Sequence, residues 1–170
     1  ACNTASALAL ETVQPEFDIP ILGVVKAGAK EAAKVTKNGK IGVIATESTI
    51  ESQLYTKEIH SHKPNAQVLG KPCPLFVPLV EEGWLKDPVT VEVANRYLEP
   101  LLESGIDTLI MGCTHYPLLV DIIAEILGPK VTLVSAGEES AYELKRLLKS
   151  GGLWAGPAGP CLLYTSDAAD

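Results

Sequence analysis

The chain has 170 residues, 46% of them hydrophobic, with 14 Lys and Arg against 21 Asp and Glu for a net charge of −7. That length and apolar content suit one α/β domain, or parts of two, with a real core. The acidic balance leaves no basic stripe for a nucleic acid, and no run approaches the roughly 18 apolar residues of a membrane span.

In chain order, residues 3–14 predict a helix, with Leu8, Ala9 and Val13 on one face and Pro15 as its stop. Residues 19–25, Ile-Pro-Ile-Leu-Gly-Val-Val, read as a short buried strand, and 27–37 as a helix of small residues. After the Asn38-Gly39 turn, 41–45 is a second buried strand with 46–48 at its carboxyl end. Ile50, Leu54 and Ile59 give 50–62 helical periodicity, ended by Pro64-Asn65, and 66–69 is a third strand. Three prolines in 71–78 predict a loop near the sheet edge. Residues 79–84 make one helical turn carrying Glu81 and Glu82. Residues 89–103 are amphipathic through Val93, Tyr97 and Leu101. A fourth strand at 108–111, a helix at 118–127 stopped by Gly128-Pro129, a fifth strand at 131–134 and a helix at 138–149 follow. Strand–helix alternation of this kind predicts an α/β protein with a doubly wound parallel sheet. From Gly151 onward the chain has no period and reads as a disordered, non-native tail.

The cysteines lie at 2, 73, 113 and 161 and the histidines at 60, 62 and 115. No two cysteines form a clip and no histidine has ligand spacing to them, so no metal site is expected. The stretch Gly112-Cys113-Thr114-His115-Tyr116-Pro117 joins a strand to a helix. It puts Cys113 at a strand's carboxyl end, where open α/β sheets bind ligands, and near a helix start that would lower a thiol pKa. Ala1-Cys2-Asn3-Thr4 echoes it at the start of the first helix. A lone cysteine here would read as a small buried hydrophobe. Two in matching settings suggest a dithiol redox couple, a nucleophile with His115 as base, or a thiol and a thiolate serving opposite faces of a carbon acid.

The motif Ala-Cys-Asn-Thr-Ala-Ser-Ala at 1–7 and Gly-Cys-Thr-His-Tyr-Pro-Leu at 112–118 resemble the two signatures of glutamate racemases, within the aspartate/glutamate racemase superfamily. Residues 45–52 and 73–81 also resemble that family, and the likeness runs from 1 to about 149. The resemblance implies two pseudo-symmetric α/β domains with the site between them. It also implies a cofactor-independent interconversion of L- and D-glutamate that supplies peptidoglycan synthesis and cell shape. Cys2 and Cys113 would be the two proton carriers, with His115 assisting at Cys113. Asn3, Thr4, Thr114 and His115 would contact the substrate. Thr46 and Thr49 read either as further substrate contacts or, for Thr46, as a helix cap. Glu81 reads either as an acid standing behind His115's side of the site or as a solvated glutamate.

The same resemblance divides the chain into 1–24 as the end of a first domain, 25–134 as the second, 135–150 as a helix returning to the first, and 151–170 as the tail. Family members have a further stretch before the first cysteine, so this chain is expected to be a fragment with poor or no activity. No cofactor is implied, and the expected partner is glutamate, with neither nucleic acid nor membrane. Members of the family are often homodimers. With no charged-then-apolar leader in view, a cytoplasmic location is the default. Two alternatives remain open: a racemase of aspartate or another amino acid in the same superfamily, and a non-catalytic binding relative.

Overall fold

A computed structural model describes residues 2–154. The tail expectation for 155–170, Cys161 included, lies outside the described residues. Four strands, β1 (Lys40–Ala45), β2 (Gln67–Pro72), β3 (Thr108–Gly112) and β4 (Thr132–Ser135), form an all-parallel sheet in the order β2-β1-β3-β4. Helices α1 (Asn3–Val13) and α2 (Val24–Val35) precede the sheet. Helices α3 (Glu47–Glu51) and α4 (Leu54–His62) connect β1 to β2, and α5 (Phe76–Glu81) and α6 (Pro88–Glu103) connect β2 to β3. Helix α7 (Val120–Leu127) leads to β4 and α8 (Ala136–Ser150) follows it.

The central strands bury both faces, as a doubly wound sheet requires, and their side chains sort by alternation. Ile41, Val43, Ile110 and Val134 join Val25, Ala29 and Ala32 of α2 and Tyr55 and Ile59 of α4 in one core cluster. Ile44, Leu109 and Met111 point the other way, into a cluster with Leu98 and Leu101 of α6 and Ile122 and Ile123 of α7. Complete burial of an Ile or Leu contributes about 1.5–3 kcal/mol, so these two layers hold the crevice described below in place. The small residues of α2 let α8 come close. A Cβ on Gly28 would stand 3.1 Å from that of Ala136.

Helices 3–14, 27–37, 89–103 and 138–149 and strands 41–45, 108–111 and 131–134 are found within a few residues of the expected bounds. Four expectations need correction. Residues 19–25 are not a strand: 17–23 are irregular, Ile19 is 68% exposed, and Val24 and Val25 open α2. Pro20 removes a ladder donor there, and burial without alternation suits a helix start as well as a strand. Four strands, not five, are therefore present among the described residues.

The helix expected over 50–62 is broken at Gln53, which adopts φ 55°. Ser52 Oγ donates to the Thr49 carbonyl at 2.7 Å and accepts from Leu54 N at 3.3 Å, local bonds that compete with the helical ladder. The proline-rich loop over 71–78 is instead the end of β2 and the start of α5. Pro72 is tolerated because β2 is an edge strand. Pro78 sits in the first turn of α5, where its missing N–H would have no intrahelical partner. Finally, a turn and a 3₁₀ segment, Tyr116–Leu119, stand between Cys113 and α7.

Candidate active site

Strand order reverses between β1 and β3: the chain leaves β1 toward β2 on one side and β3 toward β4 on the other. The carboxyl ends of these two strands therefore frame a crevice. Thr46 follows β1 and Cys113 follows β3. Between them Gly112, paired with Ala45, has no room for a side chain. A Cβ there would lie 2.9 Å from the Ile44 carbonyl oxygen and 3.1 Å from Tyr55 Cε2.

Thr46 occupies the N-cap position of α3, yet its hydroxyl caps nothing. It bonds Thr4 Oγ1 at 2.8 Å and Thr49 Oγ1 at 2.9 Å, and Thr4 and Thr49 are 3.1 Å apart, closing a triangle of hydroxyls. The capping alternative for Thr46 is thereby replaced by a contact with a residue 42 positions away. The triangle docks the start of α1 on the crevice. Cys2, the N-cap of α1, is exposed, and its Sγ accepts from Ala5 N at 3.5 Å. Asn3 is buried, and its Oδ1 accepts from the Tyr55 hydroxyl at 2.6 Å.

On the β3 side, Cys113 is 8% exposed and its Sγ lies 3.8 Å from His115 Nδ1. The other ring nitrogen of His115, Nε2, is bonded to the Glu81 carboxylate. Glu81 thus meets His115 while α5 leaves its carboxylate largely open to solvent. Thr114 is exposed, and with His115, Glu81, Val80 and Leu118 it lines an open pocket of about 350 Å³. Cys2 lines a separate groove of about 230 Å³ with Ala5, Ser6, Ala9 and Leu10.

The expected lowering of the Cys113 pKa is not found. Burial raises it, a negative charge on Cys2 raises it further, and hydrogen bonds from the backbone of His115 and from Thr114 only partly oppose these. Burial wins because the helix that would stabilise a thiolate starts seven residues on, behind the 3₁₀ turn. Cys73 is a different case. It is fully buried beside Phe76 and Tyr116, its thiol is pushed up to about 12, and it takes no part in the crevice.

The structure thus brings Thr4, Thr46 and Thr49 together, ties Asn3 to Tyr55, and forms a second group from Cys113, His115 and Glu81. Sequence reasoning missed Tyr55. Its spacing from Ile59 marks it as a core residue of α4, which it is, and nothing local announces that its hydroxyl ends on Asn3. Among the described residues no group of three or more His, Cys, Asp or Glu is placed to hold a metal ion. No helix among them is long and apolar enough to cross a membrane.

Comparison with known proteins adds the family. The model described as Asp/Glu/Hydantoin racemase matches residues 1–142. The chain is 50% identical over 153 residues to the glutamate racemase of Geobacter metallireducens, an alignment covering 90% of this chain and 57% of that protein. Among solved structures, a glutamate racemase isoform of Bacillus anthracis matches with a TM-score of 0.86 at 43% identity, over 89% of this chain and 57% of that one. The Francisella tularensis glutamate racemase, solved in complex with D-glutamate, matches with a TM-score of 0.85 at 37% identity, over 94% of this chain and 59% of that one. The chain therefore spans little more than half the length of these relatives.

Proposed function

The chain belongs to the Asp/Glu/hydantoin racemase family, and from that premise we propose that it carries the proton-transfer half-sites of a cofactor-independent glutamate racemase. In this reading a thiolate at Cys2 or Cys113 takes the α-proton of glutamate from one face, becoming a thiol. The thiol of the other cysteine gives its proton to the opposite face of the planar carbanion, becoming the thiolate. The product has the inverted configuration, and the two sulfurs have exchanged roles.

The observation that carries the reading is the hydroxyl triangle Thr4–Thr46–Thr49. It fastens the Cys2 helix start to the carboxyl end of β1, beside the strand that Cys113 follows. The raised pKa of Cys113, set by burial with a contribution from the charge of Cys2, supports it, since a two-base mechanism needs one protonated sulfur at rest. His115, oriented by Glu81, assists transfer at Cys113. Asn3, Thr4, Thr46, Thr49 and Thr114 supply donors for the carboxylates and contacts for the ammonium group.

Glutamate is favoured over aspartate because the relatives cited above are glutamate racemases. The reaction would supply D-glutamate to peptidoglycan in the cytoplasm. The domain division at 24 and 134 belongs to the same reading, although α8 here packs on α2. With Cys2 exposed and both pockets open, the described residues by themselves do not exclude water, which abstraction of so weakly acidic a proton requires. Alone, they are expected to be poorly active.

The test follows α-deuterium incorporation from heavy water into L- and D-glutamate. The protein is this chain joined to the part of the Geobacter metallireducens relative that it does not span. Exchange from both enantiomers is expected, and Cys113→Ser should suppress it from one enantiomer more than from the other. Equal, unaffected exchange would remove Cys113 from the mechanism, and binding without exchange would favour a non-catalytic relative. A panel of aspartate and other amino acids separates the remaining alternative.

A further inference from the structure

Tyr55 lies between the two halves of the crevice and belongs to neither. Its ring packs against β3 where Gly112 leaves space, 3.1 Å from the position a Cβ would take. Its hydroxyl donates to Asn3 Oδ1 at 2.6 Å, across 52 residues of sequence. Both partners are buried, Tyr55 at 3% exposure and Asn3 at 4%.

A side-chain amide has two ends of opposite character, and nothing in an isolated asparagine says which faces a ligand. Here the acceptor end is engaged. The donor end, Nδ2, bonds no acceptor among the described residues and is not engaged by the tyrosine, on the residue that stands between Cys2 and Thr4 in the chain.

We propose that Tyr55 is a positioning residue: by holding Asn3 Oδ1 it turns the Asn3 amide so that Nδ2 is presented to a carboxylate in the crevice. The inference rests on the racemase reading for the identity of that carboxylate, glutamate, and on the geometry alone for the orientation of the amide. An amide free to rotate would present its oxygen half the time and repel the anion. A locked one presents only N–H donors. The same contact ties the start of α1, with Cys2, to the end of β3, with Cys113, through one rigid ring.

The experiment compares wild type, Tyr55→Phe, Asn3→Ala and the double variant. Phenylalanine keeps the ring against Gly112 and removes only the hydroxyl. In the joined protein, Tyr55→Phe is expected to raise KM for both enantiomers about tenfold, the order of one hydrogen bond to a charged group. It should leave kcat within about threefold, because the carboxylate is held alike in ground and transition states. In the Asn3→Ala background the same substitution should have no further effect on KM. A role confined to packing would instead lower activity equally in both backgrounds, and that result overturns the proposal, as does an unchanged KM.

A second measurement needs no turnover. In the 170-residue chain itself, the Asn3 side-chain amide should give two well-dispersed proton resonances that collapse toward free-amide shifts in Tyr55→Phe. Unchanged Asn3 resonances overturn the proposal even if the joined protein is active. A joined protein that does not racemise glutamate, with the Asn3 resonances collapsing as expected, overturns the racemase reading and leaves the orientation of the amide supported.

Discussion

Replacing Gly112 with alanine tests the geometry of the crevice most directly. The added methyl would meet the Ile44 carbonyl oxygen at 2.9 Å, the Ala45 Cβ at 3.1 Å and Tyr55 Cε2 at 3.1 Å. The first two belong to β1, which is paired to β2 on its other side, so they cannot retreat without disturbing two ladders. Alanine restricts the unfolded chain more than glycine does, a gain of about 0.4–1 kcal/mol. Overpacking of a site that cannot relax costs about 1–3 kcal/mol and outweighs it. A net loss near 1.5 kcal/mol lowers the melting temperature of a chain this size by roughly 3–6 °C. Thermal unfolding followed by circular dichroism measures it. Gly137→Ala serves as the control, since a methyl there would meet only Ser135 Oγ at 3.9 Å on the first turn of α8 and should not destabilise. A Gly112→Ala protein that melts with the wild type would show that β3 and Tyr55 do not meet as described, and the basis for Tyr55 acting on the crevice would go with it.

Asp107 holds the opposite end of the sheet. Its carboxylate accepts from the Thr36 hydroxyl at 2.6 Å, from Lys37 and Asn38 N–H at 2.7 Å each, and from the Thr108 hydroxyl at 2.9 Å. Burial opposes its charge, but these four bonds outweigh burial and hold its pKa below the ordinary carboxylate value. Asp107→Asn should therefore destabilise by about 1–2 kcal/mol at pH 7. Because the folded pKa is the lower one, the contribution is complete above the unfolded value near 3.9 and is lost as pH falls through the folded value. Urea titrations of both proteins should converge at low pH, and a constant gap would refute the assignment. Alkylation by iodoacetamide should reach exposed Cys2 before Cys113 and Cys73, whose thiols are buried and raised in pKa, and labelling of Cys113 should accelerate as pH rises. Peptide mapping by mass spectrometry reads the order, and Cys113 reacting first would contradict its burial.

The alternation of apolar strands with helical periods was enough to read a parallel α/β sheet, and the two cysteine motifs were enough to read a family, because both are written in neighbouring residues. Local pattern failed where neighbours compete with distant partners. Val24 and Val25 look like strand and open a helix, and Ser52 interrupts a helix whose periodicity continues through it. Pro78 reads as a breaker until its place in the first turn of α5 is known. The pKa of Cys113 is not legible locally for a related reason: the sequence shows a helix following, but not the turn that separates them or the depth of burial.

What only the tertiary structure decided is which side chains meet. Thr4 reaches Thr46 and Thr49, Asn3 reaches Tyr55, and Glu81 reaches His115, all across more than 30 residues. Those meetings depend on strand order. The crossover that carries the chain from β2 past β1 to β3 puts the ends of two non-consecutive strands side by side, and no periodicity within a strand or helix encodes which strands become neighbours.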